Sequence, residues 1–239
     1  MMARALQLVF KAFTSLIGRQ HASGLDYIPK PPFIVAINHL GFFDVTAVYG
    51  QIGGPDITGW AAEKYERHLI WGNILRAGGA IFINRGMVDR KALDKAVAWL
   101  KSGMAFAIAP EGTRSPTRSL ARAKTGIAYL ADESGAPVVP CALTGTEQVL
   151  ESLLRLRRAP ITIRFGQAFH LPPIGDENRP AGLRRNTDEV MSRIAAMLPA
   201  DYRGIYADHP RTQQLLRAGY GEEPVEANAP ARPEILPIG

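Results

Sequence analysis

The stretch Phe33-Ile34-Val35-Ala36-Ile37-Asn38-His39-Leu40-Gly41-Phe42-Phe43-Asp44 decides the fold. Its first five residues form a short, continuous, largely β-branched apolar run, the pattern of a strand buried on both faces. Pro29-Lys30-Pro31-Pro32 gives it a rigid lead-in. Residues 42–49 then read as the start of a helix, which the segment 50–55, holding three glycines and a proline, breaks. The same alternation continues down the chain. Strands are expected at 57–61, 80–83, 104–109, 138–143 and 161–165, with helices at 67–77, 89–101 and 124–133. A last helix is expected over 186–197, with Thr187 as its N-cap and Asp188 and Glu189 in its first turn. Strands alternating with helices imply an α/β fold: a single domain whose mainly parallel sheet is flanked by helices.

The chain of 239 residues suits one such domain with a substantial core. It is 46% hydrophobic and 21% charged, which excludes a disordered chain. Residues 1–20 form a separate N-terminal segment, 21–218 the main domain, and 219–239, rich in Pro, Ala and Glu, a disordered tail. In the N-terminal segment Leu6, Val9, Phe10, Phe13 and Ile17 follow helical spacing, with Arg4, Gln7, Lys11 and Thr14 opposite and no acid. Such a stripe serves either a basic amphipathic helix lying among lipid headgroups or a helix docked on the protein's own core. Lys11 interrupts the apolar run and no small-residue cleavage site follows, so a signal peptide is not expected. No stretch reaches the roughly 18–20 apolar residues that span a bilayer. Cys141 is the only cysteine, which excludes an intrachain disulfide and a Cys-rich metal site and fits a reducing, cytoplasmic setting. The net charge of +6 and pI near 9.6 suit an anionic partner. No recognisable nucleic-acid-binding motif accompanies the charge, so a nucleic acid is not the expected partner.

His39 and Asp44 supply a candidate base and the carboxylate that would orient it. Five residues along a helix turn through about 500°, so the two side chains cannot meet if the whole segment is helical. They meet if His39 sits in the turn after the strand and Asp44 in the first helical turn. The carboxylate would then take one imidazole nitrogen and leave the other as a base. There is no Gly-x-Ser-x-Gly elbow, and Cys141 has no evident base in its segment. A base without a protein nucleophile implies direct attack by a substrate hydroxyl. Further on, Arg85 ends the strand at 80–83, and Glu111-Gly112-Thr113-Arg114 follows the strand at 104–109. An arginine at a strand end can clamp phosphate, Gly112 would let backbone approach a ligand, and Thr113 could donate a hydrogen bond. Strand ends on one edge of an open α/β sheet are where ligands bind, so His39, Arg85 and Arg114 are expected to converge on one crevice.

In their order these segments resemble the glycerolipid acyltransferases, whose best-known members are the 1-acylglycerol-3-phosphate acyltransferases. The family's Asn-His-x4-Asp block corresponds to Asn38-His39-Leu40-Gly41-Phe42-Phe43-Asp44, and its Phe-x-x-Arg block to Phe82-Ile83-Asn84-Arg85. Its Pro-Glu-Gly-Thr-Arg-Ser block corresponds to Pro110-Glu111-Gly112-Thr113-Arg114-Ser115, and its hydrophobic pair with proline to Val138-Val139-Pro140. The likeness runs from about Gly24 to Gly204. Ala109 stands where the family often has Phe, and Asn84 where it often has Asp. A Lys-x-Glu-Leu segment is represented only by Ala62-Glu63-Lys64-Tyr65-Glu66. The resemblance implies a membrane-associated transferase of phospholipid biosynthesis. Acyl-CoA or acyl carrier protein would be the donor substrate and 1-acylglycerol-3-phosphate the acceptor, with phosphatidic acid as product. It implies His39 and Asp44 as catalytic residues. Arg85, Glu111, Gly112, Thr113 and Arg114 would form the substrate-binding set, with Glu111 positioning an arginine or a hydroxyl rather than touching phosphate. No metal or bound organic cofactor is implied. The expected location is the cytoplasmic face of a membrane, without a transmembrane span. The alternatives left open are glycerol-3-phosphate or another lysolipid as acceptor, a thioesterase in which His39 activates water, and a non-catalytic membrane-binding module.

Overall fold

The computed structural model describes residues 2–84, 89–175 and 178–221. The central strand is β2 (Ile34–Ile37), and all four of its residues are buried. Its side chains alternate between two cores. Ile34 and Ala36 join a cluster with Leu100, Phe106, Ile127, Leu130, Met191 and Ile194 on one face of the sheet. Val35 and Ile37 join Ala47, Val48, Leu143 and Ile163 on the other. A strand with no polar face is thus explained by having helices on both sides, each fully buried Ile contributing about 1.5–3 kcal/mol.

The other strands are β1 (Gly18–Ser23), β3 (Ile57–Ala62), β4 (Ile81–Ile83), β5 (Ala105–Ile108), β6 (Val138–Thr144) and β7 (Ala159–Phe165), in the sheet order β1-β7-β6-β2-β5-β3-β4. Strands β6, β2, β5, β3 and β4 run parallel. The chain reverses between β6 and β7, which pair antiparallel, and β1 lies parallel to β7. The carboxyl ends of β2, β3, β5 and β6 therefore share one edge with the amino ends of β1 and β7. That edge carries the site. Cys141 lies wholly buried in β6, where burial pushes its thiol up, out of the range of a reactive thiolate.

The helices are α1 (Met2–Ile17), α2 (Asp44–Ile52), α3 (Trp71–Ala77), α4 (Arg90–Lys101), α5 (Gly126–Ser134), α6 (Val149–Leu154), α7 (Arg179–Met197) and α8 (Pro210–Arg217). Helix α1 packs on α2, with Phe10 edge-on to Tyr49 and Ile17 in the core, while Leu8, Val9 and Leu16 face outward. Among the described residues no helix is long and apolar enough to cross a membrane.

Strands and helices fall close to the expected places, with informative differences. Gly18–Gln20, grouped by sequence with the N-terminal segment, belong to β1, an edge strand held by backbone pairing that its polar side chains do not advertise. Helices α6 and α8 are not foreseen. Helix α7 begins seven residues earlier than its periodicity suggests, and Thr187 is not its cap. Thr187 is fully buried in mid-helix, and its hydroxyl donates to the Leu183 carbonyl at 2.8 Å. The cap is Asn178, which accepts from the Ala181 N–H at 3.3 Å, and Pro180 sits in the first turn, where its missing N–H costs nothing. Pro180 and Gly182 disguise this start as a loop. Gly219 to Gly221 of the expected tail form a turn, and Gly221 accepts from the Arg164 guanidinium. The remainder, 222–239, lies outside the described residues.

Loss of the α7 cap in Asn178→Ala should cost about 0.5–2 kcal/mol, as for other N-cap deletions. Its thermal melt should fall by roughly 2–4 °C per kcal/mol for a chain of this size. An unchanged melting temperature would remove Asn178 as the cap.

Candidate active site

The site begins where β2 stops pairing through its backbone. Asn38 continues the ladder with its side chain, its amide donating to the Leu143 carbonyl at 2.9 Å and accepting from the Leu143 N–H at 2.7 Å. This ties the end of β2 to β6 and releases the backbone to turn. His39 is next, held by its main chain from both sides: its N–H donates to Glu111 Oε1 at 2.8 Å, and its carbonyl accepts from the Ser115 N–H at 2.8 Å.

Asp44 is the first residue of α2, as the spacing requires, and is completely buried. Its Oδ2 lies 2.7 Å from His39 Nδ1 and accepts the N–H groups of Leu40 at 2.7 Å and Gly41 at 2.8 Å. Its Oδ1 accepts the hydroxyl of Thr146. Every other neighbour of this carboxylate is a donor, so the hydrogen shared with the ring belongs on Nδ1. That tautomer leaves the Nε2 lone pair available as a base. The N-terminus of α2 adds its dipole to the same negative charge. Thr146 is almost fully buried and comes from the loop after β6. Its approach depends on Gly145, at φ 87°, where an added Cβ would meet the Pro160 carbonyl oxygen at 1.8 Å.

The described partners of Glu111 are main-chain groups: Oε1 accepts the His39 N–H at 2.8 Å, and Oε2 that of Ala121 at 2.8 Å. It is 4% exposed, and burial raises its carboxyl above the usual range while the two N–H donors pull the other way. It is a clip that ties the β2–α2 turn to two parts of the β5–α5 loop. Gly112 adopts φ +73°, and the Lys124 side chain lies across it, 3.1 Å from where a Cβ would stand.

His39 and Gly112 line one cavity of about 1100 Å³, at the upper end of small-molecule sites. Its wall is largely apolar, with Val48, Tyr49, Ile57, Trp60 and Leu75 from the sheet and helices and Phe10 from α1. Lys124 and Arg90 place cations on it, and Asp89 and Asp94 acids. Thr113 and Arg114 are exposed and stand outside this lining, although the adjoining Ser115 holds the His39 carbonyl. Arg85 lies outside the described residues. The structure thus joins His39, Asp44, Glu111 and Gly112, and adds Asn38, Thr146 and Lys124, to which sequence reading gave no role. The only local signals were Asn38 beside the histidine and a Gly-Thr pair ending a strand. Chemically, the arrangement is a buried, oriented imidazole opening onto an apolar cavity with cations at its wall.

Comparison with known proteins gives consistent findings. The sequence model of the family described as Acyltransferase matches residues 19–144. A 1-acyl-sn-glycerol-3-phosphate acyltransferase of Cocos nucifera is 31% identical over 143 residues, covering 55% of this chain and 44% of that protein. One from Chlamydomonas reinhardtii is 29% identical over 189 residues, covering 76% of this chain and 53% of its own length. A probable one from Mycoplasma pneumoniae is 28% identical over 142 residues, covering 57% and 53%. The chain thus spans about half the length of these curated relatives. The crystal structure of the 1-acyl-sn-glycerophosphate acyltransferase PlsC of Thermotoga maritima shares the fold, with a TM-score of 0.60 at 23% identity over 78% of each chain.

Glu111→Gln should replace one of the two acceptor oxygens with an amide that faces an N–H donor. A buried N–H left unpaired costs about 1–3 kcal/mol. The melting temperature should therefore fall, and native-state hydrogen exchange at the His39 or Ala121 amide should accelerate. Unaltered exchange at both amides would contradict the clip.

Proposed function

This chain belongs to the Acyltransferase family, and from that premise we propose that it transfers a fatty acyl group from a thioester to the free hydroxyl of 1-acylglycerol-3-phosphate, giving phosphatidic acid. The observation that carries this reading is the His39–Asp44 pair at 2.7 Å, opening onto an apolar cavity of about 1100 Å³. The names of the matched relatives support the choice of acceptor.

In this mechanism His39 Nε2 takes the proton of the acceptor hydroxyl as its oxygen attacks the thioester carbonyl carbon. The tetrahedral intermediate collapses, the carbon–sulfur bond breaks, and the leaving thiolate recovers the proton from the imidazolium. Asp44 holds the ring and balances its transient charge, and Thr146 and the amides of Leu40 and Gly41 hold Asp44. No protein nucleophile, metal or bound organic cofactor is required. The acyl chain occupies the apolar part of the cavity. Arg85 and Arg114 hold the acceptor phosphate, Gly112 and Thr113 shape that subsite, and Lys124 adds a cation from the cavity wall. Acyl-CoA or acyl carrier protein donates the acyl group. The outward residues of α1, Leu8, Val9 and Leu16, with a basic and acid-free sequence around them, rest on the membrane that supplies the lysolipid, on its cytoplasmic side.

Product formation from radiolabelled acyl-CoA and lysophosphatidic acid in mixed micelles tests the reading. Wild type should yield phosphatidic acid, and His39→Ala should lose about 10²–10⁴ in kcat, the usual contribution of a general base. Equal product from both proteins would sink the mechanism. Release of free fatty acid whether or not an acceptor is present would make the protein a thioesterase instead.

The same assay separates holding from reacting. Thr146→Val should lower kcat with little change in KM, and Thr146→Ser should restore it. Arg114→Ala and Lys124→Ala should mainly raise the acceptor KM, by roughly 10–150-fold for a lost charge-assisted contact. An unchanged KM in either variant would remove that cation from the phosphate subsite.

A further inference from the structure

Large apolar side chains are exposed in several places along the site-bearing edge of the sheet, and one group is not accounted for by catalysis or by α1. It lies on the connection between β6 and β7, where α6 and the following turn leave Leu150 66%, Leu154 87% and Leu156 97% exposed. Leu156 is held outward by a left-handed backbone, φ 54°, which a leucine rarely adopts. Between and beyond these leucines stand Arg155, Arg157 and Arg158, and the only acid of residues 149–160 is Glu151, which pairs with Arg155 at 2.9 Å.

The patch is continuous with α1. The Arg158 guanidinium donates to the Ser15 carbonyl and, at 2.9 Å, to the Gly18 carbonyl, so it closes the C-terminal end of α1 beside the 73% exposed Leu16. Topology sets where this assembly faces. The turn follows the carboxyl end of β6 and precedes the amino end of β7, on the edge where β2 delivers His39. Phe42 and Val45, two more exposed apolar residues, come directly after His39 on that edge, as do Leu69 and Ile70 after β3. The exposed Leu25, Tyr27 and Ile205 lie on other segments.

We infer that the α6 turn is a second membrane foot, whose leucines enter the headgroup region of an anionic bilayer while Arg155 and Arg157 meet lipid phosphates, so that α1 and α6 together turn the mouth of the site toward the lipid. This rests on the membrane reading above and adds a surface to it. Charge selects the partner: arginines interleaved with exposed leucines suit an anionic lipid surface, whereas a second copy of this chain would oppose like charges. Leucine withdrawal from water contributes about tenfold or more in partition per fully buried side chain.

The test is sedimentation of the full chain with sucrose-loaded vesicles of phosphatidylcholine alone or with phosphatidylglycerol. Leu154→Ser/Leu156→Ser, at positions too exposed to matter for folding, should lower partition onto the anionic vesicles at least tenfold. It should leave turnover of soluble short-chain substrates unchanged. Arg157→Glu should weaken binding to anionic vesicles and leave neutral ones unaffected. Partition that drops for Leu8→Ser/Val9→Ser but not for Leu154→Ser/Leu156→Ser would overturn the second foot and leave α1 as the anchor. A wild type that binds neither vesicle would overturn the foot and the membrane reading together. A wild-type dimer in velocity ultracentrifugation, abolished by Leu154→Ser/Leu156→Ser while vesicle binding persists, would assign the patch to a second copy instead.

Discussion

A buried carboxylate without water needs several donors at once, and meeting that need at Asp44 organises the molecule around it. Its donors come from the imidazole of His39, from two successive amides of the turn after β2, and from Thr146 more than a hundred residues later. The turn can offer its amides only if β2 ends at Ile37, and β2 ends there because the Asn38 side chain substitutes for the next pair of ladder bonds. Thr146 can reach only because Gly145 tolerates a backbone that would press any Cβ into Pro160. Were one donor removed, the desolvation of the charge would fall on those that remain.

Glu111 repeats the principle one strand over. It too is buried, but its donors are main-chain amides, so it fixes backbone rather than the imidazole. The two carboxylates divide the labour: Asp44 sets the orientation and tautomer of the ring, and Glu111 sets where the chain that bears the ring can lie. This explains why an acid sits beside a subsite proposed for an anion. Its charge is satisfied inward and is not presented to the cavity.

The α/β architecture was legible because β2 and its neighbours have no polar face, a pattern that demands cover on both sides. The His39–Asp44 contact was legible because a spacing of five residues has few geometries that bring the pair together. The backbone-accepting role of Glu111 was silent because its partners, His39 in the turn after β2 and Ala121 ten residues on in its own loop, are brought to it by the fold, and nothing beside it in sequence announces a backbone acceptor. Thr146 and Lys124 were silent for the same reason: a hydroxyl or a cation acquires a role only from what the fold sets against it. The start of α7 was hidden by Pro180, which reads as a breaker although the first turn of a helix accepts it. Strand β1 was hidden because an edge strand is selected by its backbone partner, and its side chains carry little of the signal.

Cys141 gives the core an internal witness. It sits in β6, two residues before the Leu143 peptide that pairs with Asn38, with no exposed surface and its thiol driven toward the protonated form. A reagent in solution can meet that sulfur only when the core packed on that face of the sheet opens beside the His39 turn. The rate at which the single thiol of the chain is consumed therefore clocks the opening of this core. It does so independently of turnover, with no probe introduced into the molecule.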